Sequence, residues 1–185
     1  MNKKLRILLT VAAALLLVVG AVSGTVAYLT ATDDPVVNTF TTSNITVDID
    51  ETKREYKIIP GADIPKDPKV TATGDIDYYV FVKIEANPWP ENGLLTYEID
   101  REAGWLDVTG YANVYYQPVT AKAEFKDVPV LKGNKVVASD EIDKDDMAAM
   151  KASAPVLKLT PYAFQQANGS GVFAPEAAWG LLIAE

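Results

Sequence analysis

The 185-residue chain has no cysteine and no histidine. Those two zeros exclude a Ser-His-Asp triad, a thiolate nucleophile, an imidazole base and any zinc site built on thiolate or imidazole ligands. They exclude disulfides as well, so an exported domain must be held together by packing alone. Basic side chains are in deficit, 17 against 25 acidic ones, for a net charge of -8. Nucleic-acid binding draws its affinity from clustered lysine and arginine, so the composition argues against a nucleic acid as partner. What is plentiful is apolar: 49% of the residues are hydrophobic, enough for the core of one domain besides a leader.

One long uncharged run stands at the N-terminus. Lys3, Lys4 and Arg6 precede residues 7–22, which carry no charge, and the small residues Ser23, Gly24, Thr25 and Ala27 follow. This is the layout of a secretory signal peptide, with cleavage expected between Ala27 and Tyr28 by an export signal peptidase. The alternative is an uncleaved membrane anchor, because residues 7–27 suffice to span a bilayer. The positive start stays cytoplasmic in either case, placing everything from Tyr28 onward outside. The chain is therefore expected to be secreted, extracellular or at the cell surface, with membrane contact only through the leader. Cleavage removes three basic residues and no acid, taking the net charge from -8 to -11. The expected division is a leader over 1–27, an N-terminal segment over 28–41 and a β-sandwich domain over 42–185.

Beyond the leader, apolar residues fall into short runs bounded by turn formers, which predicts strands. Ile45, Val47 and Ile49 alternate with Thr46, Asp48 and Asp50, as in a half-buried strand. Tyr78, Val80, Val82 and Ile84 alternate with Tyr79, Phe81, Lys83 and Glu85, and bulk on both faces predicts a central strand. Further strands are expected at 70–73, 94–99, 105–108, 113–116, 128–131 and 156–167. Gly133-Asn134 reads as the centre of a tight hairpin joining 128–131 to Val136-Val137. Residues 139–152 are expected to be helical, capped by Ser139 or Asp140, with Ile142, Met147 and Met150 on the buried side. A second short helix should start at Pro175 and set Ala178, Trp179 and Leu182 against the sheets. Short strands without βαβ alternation predict an all-β, jelly-roll-like β-sandwich with one or two short helices, preferred over an immunoglobulin-like topology.

The stretch from Gly24 to Thr30 followed by Val36-Val37-Asn38-Thr39-Phe40-Thr41 resembles the TasA/camelysin-like exported proteins of Gram-positive bacteria, which are matured by a signal peptidase of the endoplasmic-reticulum type. Pro60-Gly61, the run from Lys66 to Gly74 leading into residues 77–83, and the tail blocks 162–167 and 175–179 are similar to the same group. The resemblance implies a jelly roll, secretion, and assembly into extracellular biofilm fibres by self-association or with a companion matrix protein. It also implies that the mature N-terminal segment of one subunit adds a strand to its neighbour. Here that segment would come from residues 28–41, with Val36, Val37 and Phe40 as anchors. An unpaired sheet edge offers free N–H and C=O groups that an extended peptide satisfies. The alternative is that residues 36–41 pair within their own domain. Camelysin-like members are also described as metalloproteases, an inheritance that a chain without histidine does not share.

Two residue groups remain. Asp140, Asp143 and Asp145 lie in the densest acidic cluster and are candidate calcium ligands, since calcium takes several carboxylate oxygens. Met147 stands where a third oxygen ligand belongs, and a solvated helix start accounts for the same acids. Trp89, between Pro88 and Pro90, is the candidate ligand contact, placed to stack on a sugar ring; a core position is the alternative reading of the same ring. No spacing singles out a catalytic pair of carboxylates, so no enzyme activity and no cofactor are expected. The expectations come down to a secreted structural protein that assembles through its N-terminal segment, or an exported ligand- or glycan-binding sandwich.

Overall fold

The computed structural model describes residues 44–53 and 55–184. The leader, the cleavage pair Ala27 and Tyr28, and the anchors Val36, Val37 and Phe40 lie outside the described residues. In chain order the strands are β1 (Ile45–Asp50), β2 (Asp63–Pro65), β3 (Lys69–Gly74), β4 (Tyr78–Ala86), β5 (Leu95–Thr96) and β6 (Leu106–Asp107). They continue with β7 (Val114–Val119), β8 (Phe125–Pro129), β9 (Lys135–Ala138), β10 (Leu157–Gln165), β11 (Ala167–Asn168) and β12 (Gly171–Val172). Helix α1 (Lys144–Ala152) lies between β9 and β10, and α2 (Pro175–Leu182) closes the described chain. The strands form sheets in the orders β1-β3-β8, β10-β4-β7-β6 and β2-β9-β5, with β11-β12 as a separate small hairpin. All of these pairings are antiparallel, so the fold is an all-β sandwich with two short helices. Thr42–Glu185 forms one compact unit.

The double-faced apolar pattern of β4 explains its position. It is flanked on both sides, by β10 and β7, and its two faces enter two different cores. Tyr78, Val80, Val82 and Ile84 join Val70, Ala72, Trp105, Phe125 and Leu131 in the larger core between the sheets. Tyr79 and Phe81 join Val108, Val114, Ala178 and Trp179 in the smaller one. There α2 covers the outer face of the four-stranded sheet, with the Trp179 ring 5.4 Å from Phe81 and 5.1 Å from Tyr162. Full burial of a side chain such as Phe81 contributes about 1.5–3 kcal/mol, which is how a fold without disulfides is held.

Strand β1 follows its sequence pattern, with Ile45, Val47 and Ile49 half-buried and Thr46, Asp48 and Asp50 exposed. Helix α2 starts at Pro175 and buries Ala178 and Trp179, as its sequence indicates. The first helix is shorter than the expected 139–152. It begins at Lys144, and its cap is Asp143 rather than Ser139 or Asp140. The Asp143 carboxylate accepts from the N–H groups of Asp145 and Asp146, while Asp146 accepts from the Asp143 N–H, a capping box. Ile142 and Met147 flank that cap at the two positions of a hydrophobic staple and both join the main core.

The expected hairpin around Gly133-Asn134 is corrected. A 3₁₀ turn forms over Lys132–Asn134, with φ of 65° at Gly133 and 52° at Asn134. Its flanking strands part instead of pairing: β8 runs beside β3, whereas β9 runs between β2 and β5. Leu131 makes its bridge to Ile99 instead, so the turn transfers the chain from one sheet to another. The expected strand over 94–99 reduces to β5 and that isolated bridge, and 105–108 reduces to the two residues of β6.

Candidate functional site

A groove of about 730 Å³ opens beneath α1. Its floor is one face of the β2-β9-β5 sheet. Ile64 stands directly opposite Val136, and Leu95 pairs with Ala138 two residues along β9, so the period of two puts these buried side chains on the same face. Met147 and Met150 of α1 close one wall, Tyr56 and Ile58 another, and Pro155, Val156 and Leu157 complete the rim.

Trp89 stands in that wall rather than on a free loop tip. Its Nε1–H donates to the Leu95 carbonyl at 3.0 Å, and its ring meets Tyr97 edge-on with centroids 5.8 Å apart. The surrounding loop is tied to the start of β10 by two backbone bonds, Asn87 N–H to Val156 C=O at 3.0 Å and Val156 N–H to Pro88 C=O at 2.9 Å. A smaller hollow of about 290 Å³, also lined by Trp89 and Met150, lies beside the groove. The ring is thus held on both its polar and its apolar side.

The polar groups of the groove are few, and Lys66 and Tyr56 among them are committed. Lys66 is 7% exposed, and its Nζ lies 2.7 Å from Glu51 Oε1 and 5.3 Å from the Tyr56 ring centroid. The Tyr56 hydroxyl donates to the same Glu51 oxygen at 2.7 Å and also meets the Lys53 carbonyl. Burial, reinforced by the bond to Glu51, holds the Tyr56 hydroxyl well above the usual tyrosine range, so it stays a donor. Lys144 and Lys151 are different: both line the groove and are exposed, and neither has an ion-pair partner among the described residues. Glu55 is the one acid in the lining.

A second feature is the set of strands at the sheet edges. Proline closes β2 at Pro65 and β8 at Pro129, and Pro161 sits at the middle of β10. Proline lacks the N–H that an added strand would need, so these edges are blunted. Edge strand β1 is six residues long, contains no proline, pairs only with β3 among the described residues and packs close to β10 without a ladder between them. Its outward amides are partly occupied: Ile49 N–H donates to Asp48 Oδ1 at 2.9 Å and Glu51 N–H to Asp50 Oδ1 at 2.8 Å. By the alternation of an antiparallel ladder, Ile45 and Val47 present their N–H and C=O on that same outer side.

Asp140, Asp143 and Asp145 do not converge on a site. Asp143 spends its carboxylate on the helix cap, and the described residues contain no group of three or more acidic side chains placed to hold a metal ion. Sequence reasoning missed Lys66 and Ile64, which sit in a proline-flanked stretch that reads as loop. The available signal was the apolar side of the first helix, Ile142, Met147 and Met150, which needed a surface to face. Among the described residues no helix is long and apolar enough to cross a membrane. No protein-family model matches the chain, and neither a curated protein nor a solved structure gives a match.

Proposed function

We propose that this chain is an exported, non-catalytic structural subunit of the cell surface or extracellular matrix, a jelly-roll-like sandwich that assembles into fibres by strand addition. In this reading the leader is cut between Ala27 and Tyr28, and the segment 28–41 of one copy lies along the β1 edge of the next, anchored by Val36, Val37 and Phe40. The supporting observation is the contrast between edges: β2, β8 and β10 carry proline and β5 and β6 are two residues long, while β1 offers six proline-free residues. An added strand there would satisfy the outward groups of Ile45 and Val47 and extend the sheet by main-chain bonds. The resemblance to TasA/camelysin-like proteins points the same way, and a companion matrix protein is an alternative source of the added strand.

The test compares residues 28–185 with residues 42–185 by electron microscopy and light scattering after incubation at raised concentration. Filaments are expected from the longer protein only, and free peptide 28–41 should slow their growth. Filaments from both proteins would refute donation by this segment. A second reading, an exported ligand-binding module, is favoured by the pre-formed groove that Trp89 lines; it is compatible with assembly, because β1 contributes no residue to that lining.

A further inference from the structure

The groove's lining is unusual for a protein of net charge -8: three lysines and one glutamate surround an otherwise apolar surface. Its volume of about 730 Å³ lies within the range of small-molecule sites, roughly 300–1,000 Å³. We infer that the groove under α1 binds a long-chain carboxylate, with its aliphatic tail along the Ile64–Val136–Leu95 floor and its head at Lys144 or Lys151.

Three arguments select that chemistry. The first is hydrogen bonding. The lining holds no Ser, Thr, Asn, Gln or Asp, and its Tyr56 hydroxyl and Lys66 ammonium are already engaged by Glu51. A sugar buried there would leave hydroxyls unpaired, an expensive loss, whereas an alkyl chain asks for nothing. The second is charge. Lys144 and Lys151 have no ion-pair partner among the described residues, and both flank the apolar interior from one helix, about 10 Å apart along its axis. They attract a carboxylate and repel a cationic head. The third is topology. The floor is the face of a sheet, not an edge, so it offers side-chain contact but no main-chain ladder to a peptide. Met147 and Met150 suit a flexible tail, because unbranched thioether side chains adapt to irregular apolar shapes.

The test is calorimetric titration of residues 28–185, which contain the whole compact unit, with dodecanoate below its micellar concentration. Dodecyltrimethylammonium and dodecanol serve as head-group controls. Saturable binding of dodecanoate is expected, at least about tenfold tighter than the trimethylammonium analogue, with affinity rising about fourfold per added methylene until the groove is filled. The double variant Lys144→Gln, Lys151→Gln should weaken dodecanoate about tenfold and leave dodecanol unchanged. Ala148→Trp, at an exposed groove-side position of α1, should block both ligands with circular dichroism unchanged. Equal affinity for the three head groups, or binding untouched by both variants, would overturn the proposal. So would binding of free peptide 28–41 in the groove without binding of dodecanoate. The inference goes beyond assembly: residues 42–185 should bind dodecanoate equally well, so failure of the strand-addition reading and failure of this one give different results.

Discussion

Tyr78 shows how a single atom can be out of step with its surroundings. Its ring is fully buried against Gly74, where an added Cβ would come within 2.7 Å of it, yet its hydroxyl has no partner among the described residues. Burial accordingly raises its pKa. Trp105 is the contrast: equally buried, it donates Nε1–H to the Pro129 carbonyl at 2.7 Å. A buried unpaired polar atom costs about 1–3 kcal/mol. Tyr78→Phe is therefore expected to stabilise the protein by about 1 kcal/mol, read as a higher urea midpoint at unchanged slope. A lower midpoint would mean that the hydroxyl is satisfied.

At the scale of the element, the start of α1 is held by one side chain. Asp143 accepts two backbone N–H bonds, which hold its carboxyl below the usual range. Asp143→Ala is expected to speed amide hydrogen exchange in the first turn of α1 about fivefold, while exchange in β4 stays unchanged. Equal acceleration in both would show that the helix start and the sandwich open together. This start was poorly legible in the sequence, because Ser139, Asp140 and Asp143 are all good caps, and the reciprocal partner is Asp146 rather than the usual Glu or Gln. Strands β1 and β4 and helix α2 were legible, since their apolar periods are local and uninterrupted. The Gly133-Asn134 turn was legible too, but a turn does not say whether its flanks pair with each other, and here they join different sheets. The groove was hidden for the same reason. Ile64 and Val136 meet only through the pairing of β2 with β9, and no local pattern encodes that pairing.

For the molecule as a whole, the shifted tyrosines and carboxylates move away from neutrality. Tyr56, Tyr78, Tyr79, Tyr97 and Tyr115 all titrate above the usual 10.0, with burial as the leading cause. A raised folded pKa gives stability that is complete below the unfolded value and lost as pH rises from there. Asp67, Glu85 and Asp143 titrate below their usual values, each mainly through hydrogen bonds. Their contribution is present above the unfolded values and lost as pH falls through the folded ones. With no histidine in the chain, the urea midpoint should be nearly flat between about pH 5.5 and 8.5 and fall beyond about pH 4 and pH 10. A step near neutrality would contradict this.

In the proposed assembly the edge pattern also sets a valence. In that assembly a subunit whose β2, β8 and β10 edges carry proline, and whose β5 and β6 edges are only two residues long, keeps β1 as its one long proline-free edge among the described residues. Paired with one donor per chain, such a unit is heterologous and directional, so it extends in single file rather than closing on a two-fold axis. Branching and lateral sheets would need a second open edge. Replacing Pro161 would restore an N–H at the middle of the nine-residue β10 edge, and in the proposed assembly would turn a thread-forming unit into a cross-linking one.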